Sequence, residues 1–518
     1  PLRRASGPQV RGVDASSGRW RIAPAHPINA AVRRTHRPLT VAALLLSMFM
    51  AAMEATVVGT AMGTVIAQLH GLAHVGWVGS AYMLAATVSV PVYGKLADLY
   101  GRKPLVLLGI SGAAQAQIAI GHLADYSGGT SDVGTPYGQA VADTFAWVNK
   151  NGGVGGKQLN VDTNDYGYQV PRAIALYKKW SAPDTKVAAI MGWGTADTEA
   201  LTGFLAQDKI PDISGSYAAA LTDPEGISGK AKPAPYNFFY GPSYSDAMRA
   251  MLTWAAEDWK AKGKSGKPKF VHMGANHPYP NAPKAAGEAM ATELGFEVLP
   301  PLVFALTPGD YSAQCLSLKS SGANYAYLGN TAASNISVLK ACKTAGVDVQ
   351  FLGNVWGMDE NAAKTAGDAA DGVIFPLRTA VSWGGNAPGM KTVMEISKMS
   401  DPTGKVYRPV HYVAAVCTAL YMKEALDWAA KNGGATGENV AKGFYQKKDW
   451  VPAGMDGVCN ASTWTDKDHR GTLKVDLYRS KISGPTDGDL NDLMAKGTIK
   501  LEKVKTVELP RKPEWLGW

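Results

Sequence analysis

An α/β fold with two parallel-sheet lobes, preceded by two to three apolar helices, is predicted for this 518-residue chain. Three observations predict it. From residue 118 onward, short apolar runs alternate with amphipathic segments of 12–18 residues, the pattern of strands joined by crossover helices. The length is about three times that of a typical single domain, so a second lobe is expected. Residues 39–116 carry long uncharged stretches that the rest of the chain lacks.

Taken in order, 118–121, 159–162, 187–191, 270–273, 325–328, 351–353 and 373–375 read as buried strands. Residues 136–150, 169–180, 198–207, 245–262, 283–294, 311–320 and 336–345 read as helices between them. The first sheet should end near 236–242, where Pro and Gly interrupt the pattern. A second α/β run continues to about Pro376, and a long helix at 409–431 follows. No period of 20–50 residues repeats, which excludes solenoids and propellers. In parallel sheets ligands sit beyond the carboxyl ends of the strands.

The formal charge of +9 suggests nucleic acid until it is mapped. Residues 1–37 hold eight arginines and one acid, Asp14, so they carry +7 and leave +2 for the other 481 residues. The charge therefore belongs to a basic flexible tail, and no nucleic-acid partner is expected. Four cysteines and no CxxC exclude a disulfide scaffold and zinc fingers. The chain begins at Pro1, which fits a fragment or a processed product.

Residues 39–67 are apolar with one charge, Glu54, and 77–94 are uncharged, both near the roughly 20 residues that cross a bilayer. Arginines before the first stretch, and Lys95, Arg102 and Lys103 after the second, put both flanks in the cytoplasm. Residues 104–124 read as a third, weaker span. A competing reading takes Arg102-Lys103, 105–110 and 114–116 as the charged, apolar and small-residue regions of a secretory signal cleaved near Ala116. Either way the remainder is exported.

Two resemblances follow. Gly94-Lys95-Leu96-Ala97-Asp98-Leu99-Tyr100-Gly101-Arg102-Lys103 resembles the loop between the second and third helices of major facilitator superfamily transporters. Residues 54–62 resemble the first-helix motif of their drug:proton antiporters, with Gly63 where a proline is usual. Such transporters need about a dozen spans, so 38–116 is expected to be a truncated transporter-like membrane segment or a signal anchor.

Residues 118–128, 147–156, Pro308-Gly309-Asp310-Tyr311, 350–353 and 369–373 resemble the substrate-binding proteins of branched-chain-amino-acid-type ABC transporters, from about 117 to 480. The resemblance implies a type I periplasmic binding protein with two Rossmann-like lobes joined by three strands. Lobe 1 is expected at 117–240 and 376–480, lobe 2 at 241–375, and a C-terminal tail at 481–518.

In that family the ligand carboxylate is held by hydroxyls and N–H groups at two loop-to-helix junctions of the first lobe. Helix N-termini present free N–H donors and a positive dipole end. The matching junctions put Thr195 and Ser216 as the hydroxyls, with Trp193 and Tyr217 as apolar wall. Thr195 reads equally as a helix cap, and the two roles are compatible. Tyr126 and Ser127 resemble the loop that floors the cleft. Asn330 and Thr331, then Asn354 and Trp356, should close from the second lobe, with Tyr279 adding an aromatic. Amino-acid binders usually place an acid where Val355 stands, which points away from an α-amino acid and towards an apolar or aromatic carboxylate.

The remaining motifs are bland. Residues 152–157 fail as a phosphate loop, because that motif needs glycine at Asn151 and a hydroxyl at Gln158. Cys315 and Cys342 read as two buried thiols or a disulfide. His272, His277 and His469 lack metal-ligand spacing, so no metal, cofactor or catalytic group is expected. The expected protein is a non-enzymatic, periplasmic or otherwise extracytoplasmic receptor for a small carboxylate, an amino acid or aromatic acid. Its partners would be an ABC permease and, through the N-terminal segment, the membrane. The alternatives are an antiporter fragment and a ligand-sensing receptor ectodomain.

Overall fold

The computed structural model describes residues 117–518 together with Lys95. The apolar stretches at 39–67 and 77–94, and most of 104–124, lie outside the described residues. Among the described residues, no helix is long and apolar enough to cross a membrane.

The first sheet holds five strands in the order β2-β1-β3-β4-β5, all parallel: β1 Ile118–Ala124, β2 Leu159–Asp165, β3 Ala189–Gly192, β4 Asp212–Ser214 and β5 Asn237–Phe239. Crossover helices Ser131–Lys150, Val170–Ser181 and Thr195–Asp208 connect them. All four residues of β3 are buried, as a strand covered on both faces requires.

The second sheet has eight strands: β6 Lys269–Gly274, β7 Glu297–Val298, β8 Leu302–Val303, β9 Tyr325–Leu328, β10 Gln350–Gly353, β11 Ile374–Leu377, β12 Lys474–Ile482 and β13 Ile499–Glu508. Its order is β13-β12-β11-β10-β9-β6-β7, with β8 also pairing with β6. β11/β12 and β12/β13 are antiparallel, and the other pairs are parallel. Helix Tyr244–Ala261 packs against Lys284–Glu293, and Ser312–Ser321 against Ala332–Thr344.

The chain passes between the lobes after β5, after β11 and before β12. Between the last two passages, the long helix Val410–Lys431 packs on Ser131–Lys150 of the first lobe. The passages are tied to one another. The Tyr240 hydroxyl donates to the Arg378 carbonyl (2.5 Å) and accepts from the Asn460 N–H (2.7 Å).

Several expectations change. Residues 481–518 are not a tail: β13 completes the edge of the second sheet. Its Lys/Glu alternation belongs to an exposed edge strand with cross-strand charge pairs, Lys503–Asp476 at 2.8 Å and Lys481–Glu502 at 3.6 Å. Beyond it the buried Trp515 packs on Arg249, whose guanidinium pairs with Asp246. The helix expected at 136–150 begins at Ser131, with Pro136 inside its second turn. Strands β4 and β5 have three residues each, too short to show as apolar runs. Cys315 and Cys342 are joined in a disulfide, and so are Cys417 and Cys459.

Candidate functional site

Helix Thr195–Asp208 starts immediately beyond the carboxyl end of β3. The helix Ala332–Thr344, with Thr331 at its N-cap position but no capping bond from that side chain, starts just beyond β9. Their N-termini approach one cavity from opposite lobes. Its volume is about 10 Å³, room for at most one water. The wall is Thr130, Tyr168, Trp193, Gly194, Thr195 and Gly215 from the first lobe, with Tyr244, Tyr279, Thr331 and Trp356.

Five of the eleven expected site residues, Trp193, Thr195, Tyr279, Thr331 and Trp356, line this cavity. Ser216 stands directly behind, its hydroxyl donating to Thr195 Oγ1 at 2.9 Å. Both hydroxyls are buried. Tyr217 lies deeper, nearly parallel to Trp356 with ring centroids 5.7 Å apart.

The other four are elsewhere. Tyr126 and Ser127 are exposed at the rim, held by Asp165, which accepts from the Tyr126 N–H at 3.0 Å. The residue of that loop facing the cavity is Thr130. Its hydroxyl donates to Asp125 (2.6 Å) and accepts from Trp193 Nε1 (2.9 Å). Asn330 accepts from the Ala275 N–H and donates to the Ala305 carbonyl. Asn354 accepts from the Tyr279 hydroxyl and the Trp356 N–H, both at 2.8 Å, and donates to Leu328 and Asn330 carbonyls. Every polar atom of these two asparagines is engaged in holding loops together. Asn354 positions Tyr279 and Trp356, Asn330 ties Ala275 to Ala305, and neither lines the cavity.

Close approach needs glycine here. A Cβ on Gly194 would lie 2.2 Å from the Tyr168 ring and 2.3 Å from the Asp197 carboxylate. Tyr168 itself adopts φ 57°, a strained conformation for a tyrosine, which turns its ring onto the cavity. Asp197 accepts from the Gly194 N–H (3.2 Å) and the Tyr166 hydroxyl (2.9 Å). Burial raises its carboxyl to about 7 against those bonds.

Behind Trp356 lies a group the sequence did not reveal. Arg378, just past β11, is 2% exposed, with its guanidinium 3.7 Å from the Trp356 ring centre. It donates to the Tyr217 hydroxyl (3.1 Å) and to His411 Nδ1 (2.7 Å). Burial and then the Arg378 charge push the His411 imidazole well below its usual range, so it is neutral and accepts at Nδ1. No carboxylate among the described residues forms an ion pair with Arg378. The nearest acid in this network is Asp359, 3.7 Å from Nε2 on the far side of the imidazole, too far to hydrogen-bond. Tyr137, Tyr168 and Tyr244 were missed as well.

A larger open cleft, about 450 Å³, lies at the amino ends of the first sheet, between Gln117–Ala119, Lys157, Lys209 and Glu438. It has no aromatic wall and only one lobe contributes to it.

A fold of two α/β lobes around an interlobe cleft, three times connected, defines a bilobal solute-binding protein. The family model described as "Periplasmic binding protein" matches residues 117–488, and the chain belongs to that family. Solved structures agree on the fold. A substrate-binding protein of an ABC transporter from Aeropyrum pernix is 24% identical, with a TM-score of 0.65, covering 77% of this chain and 98% of that one. A branched-chain amino acid ABC transporter protein from Thermus thermophilus with bound valine is 22% identical (TM-score 0.62; 74% and 100%). A fatty acid ABC transporter substrate-binding protein from Thermomonospora curvata is 19% identical (TM-score 0.62; 76% and 92%). Membership places the chain among binding proteins, not enzymes, and implies an extracytoplasmic location. The two disulfides fit an oxidising compartment.

The N-terminal region is similar to something else. The Major Facilitator Superfamily model matches residues 44–131. Multidrug resistance protein 3 of Bacillus subtilis is 46% identical over 67 residues, 13% of this chain and 13% of that protein. The chain spans about an eighth of the length of such relatives. The last fifteen residues of that match, 117–131, are β1 and its following loop in the first lobe.

Proposed function

We propose that this protein is the solute receptor of an ABC importer, closing two lobes on a small carboxylate and presenting the closed form to a permease. Thr195 in the first turn of its helix carries the reading: Ser216 donates to its oxygen, which leaves the Thr195 proton and the positive end of the helix dipole for an anion. Thr331 adds the N-terminus of a second helix from the other lobe. The ligand then touches both lobes only when they meet, so binding shifts the population to the closed form. Buried Val355 offers no charge to an ammonium group, which favours an apolar or aromatic acid over an α-amino acid.

A thermal-shift screen of the full chain against amino acids, aromatic acids and short dicarboxylates tests this. A true ligand at 100 times its Kd adds about 2.7 kcal/mol to stability. We expect an aromatic or branched monocarboxylate to raise the Tm, and the Thr195→Ala/Ser216→Ala variant to bind it at least tenfold more weakly. If branched-chain amino acids stabilise the protein and aromatic acids do not, the reading of Val355 is wrong. If nothing in the panel stabilises it, the receptor reading fails.

The similarity of 44–131 to membrane transporters favours one addition: the apolar N-terminal segment tethers the receptor to the membrane. Fractionation of expressing cells tests it, with the full chain expected in the membrane pellet and the pellet depleted when residues 1–94 are deleted.

A further inference from the structure

Trp356 projects from the loop after β10 in the second lobe, yet its indole is enclosed by the first lobe and the passages between lobes. Tyr137 and Trp193 meet it edge-on, at ring-centroid distances of 5.5 and 4.8 Å. Tyr217 lies near-parallel at 5.7 Å, and His411 at 5.1 Å. Arg378 covers the ring, and the indole N–H donates to the Tyr244 hydroxyl at 3.0 Å. This is an aromatic box with one buried cation, and the cation has no carboxylate partner among the described residues. A guanidinium stays charged at any ordinary pH, and burial without an anion is unfavourable. The indole gives it only a cation–π contact, where a carboxylate would give a charge-assisted pair.

We infer that Trp356 is an internal surrogate for the solute: it plugs the box, and the solute that displaces it is a planar aromatic carboxylate whose acid group pairs with Arg378. The exchange of ring for ring leaves apolar burial nearly even, so the new ion pair supplies the preference. Because Trp356 belongs to the opposite lobe, opening the cleft withdraws the plug and uncovers the cation together. This inference rests on the receptor reading and differs from it in one point, the seat of the carboxylate, which moves from the Thr195/Ser216 hydroxyls to Arg378.

Calorimetry on the full chain tests it with benzoate, indole and leucine as probes. Trp356→Ala is expected to bind benzoate at least tenfold more tightly than the natural protein does. It should also prefer benzoate to indole by tenfold or more. Adding Arg378→Met should remove that preference and leave indole binding. Trp356→Phe, which refills the box with a ring, should restore weak benzoate binding and guards against a misfolded alanine variant. Benzoate binding the natural protein but weakening in Trp356→Ala would make Trp356 an ordinary wall residue and overturn the inference. Equal binding of benzoate and indole before Arg378 is changed would overturn it too. Stabilisation by leucine alone would sink the inference while leaving the receptor reading intact. No response to any probe in any variant would overturn both.

Discussion

Glu360 is fully buried beside Asp359 in the helix Glu360–Ala366, and its two oxygens accept from the Val410 N–H (3.0 Å) and the Tyr407 hydroxyl (3.2 Å). Burial, and next the charge of Asp359, raises its carboxyl to about 8, and burial raises Asp359 to about 7. A carboxyl raised in the fold contributes stability below its unfolded pKa and loses it as pH climbs through the folded value. The window therefore runs from about pH 4.5 to about 8. His122, lowered to about 3, and His272 and His469, lowered to about 4, act oppositely: burial favours their neutral forms, so stability falls as pH drops from 6.5. Glu360→Gln keeps an acceptor for Val410 and gives Tyr407 a donor. Its Tm should match the natural protein at pH 5 and exceed it increasingly towards pH 9. Parallel Tm curves across that range would show that Glu360 is not the group responsible.

At the scale of elements, the disulfides do what short helices cannot. Cys315 and Cys342 lock the helices Ser312–Ser321 and Ala332–Thr344 together across 27 residues, and both sulfurs are buried. Chain entropy alone predicts a loss of about 3.5 kcal/mol for Cys315→Ala/Cys342→Ala. Urea unfolding of the oxidised protein should show the midpoint falling accordingly; an unchanged midpoint would mean the bond constrains nothing. Cys417–Cys459 similarly pins the long helix Val410–Lys431 to the segment beside the second passage, where Cys459 bridges Thr379. Which elements could be read in advance follows from periodicity. Strands β1, β6, β9 and β11 are buried apolar runs, and their flanking helices are amphipathic, so both signals are local. β13 alternates charge because it is a sheet edge, and that pattern is shared with solvated tails. The hydroxyls Thr195 and Ser216 are named through the family resemblance, and Thr195 does stand in the first turn of a helix. Arg378 and His411 could not be read in advance, since Arg378 reaches Tyr217 across 161 residues of sequence and His411 joins the group through Arg378 and Trp356, with no local pattern to mark them.

For the whole molecule, closure depends on contacts that exist only when the lobes meet, and one lies beside the cavity residue Thr331. Asp132, in the first turn of the helix Ser131–Lys150, accepts from the Ala333 N–H at 2.7 Å, across 201 residues of sequence. Ala333 is in the first turn of the second lobe's helix Ala332–Thr344. One carboxylate thus sits between two helix N-termini, each with unpaired N–H donors and a positive dipole end. Burial raises the Asp132 carboxyl, and the Ala333 bond opposes that rise. Opening the lobes leaves the Ala333 N–H to water, whereas closing them without Asp132 would bury it unpaired, at a cost of about 1–3 kcal/mol. Asp132→Ala should therefore leave the fold of each lobe intact while shifting the open–closed balance by roughly five- to a hundredfold towards open. Small-angle scattering should report a larger radius of gyration for the variant. Stopped-flow measurement with any solute that stabilises the natural protein should show the loss in dissociation rate more than in association rate. An unchanged radius with an unchanged dissociation rate would mean that the bridge follows closure without contributing to it.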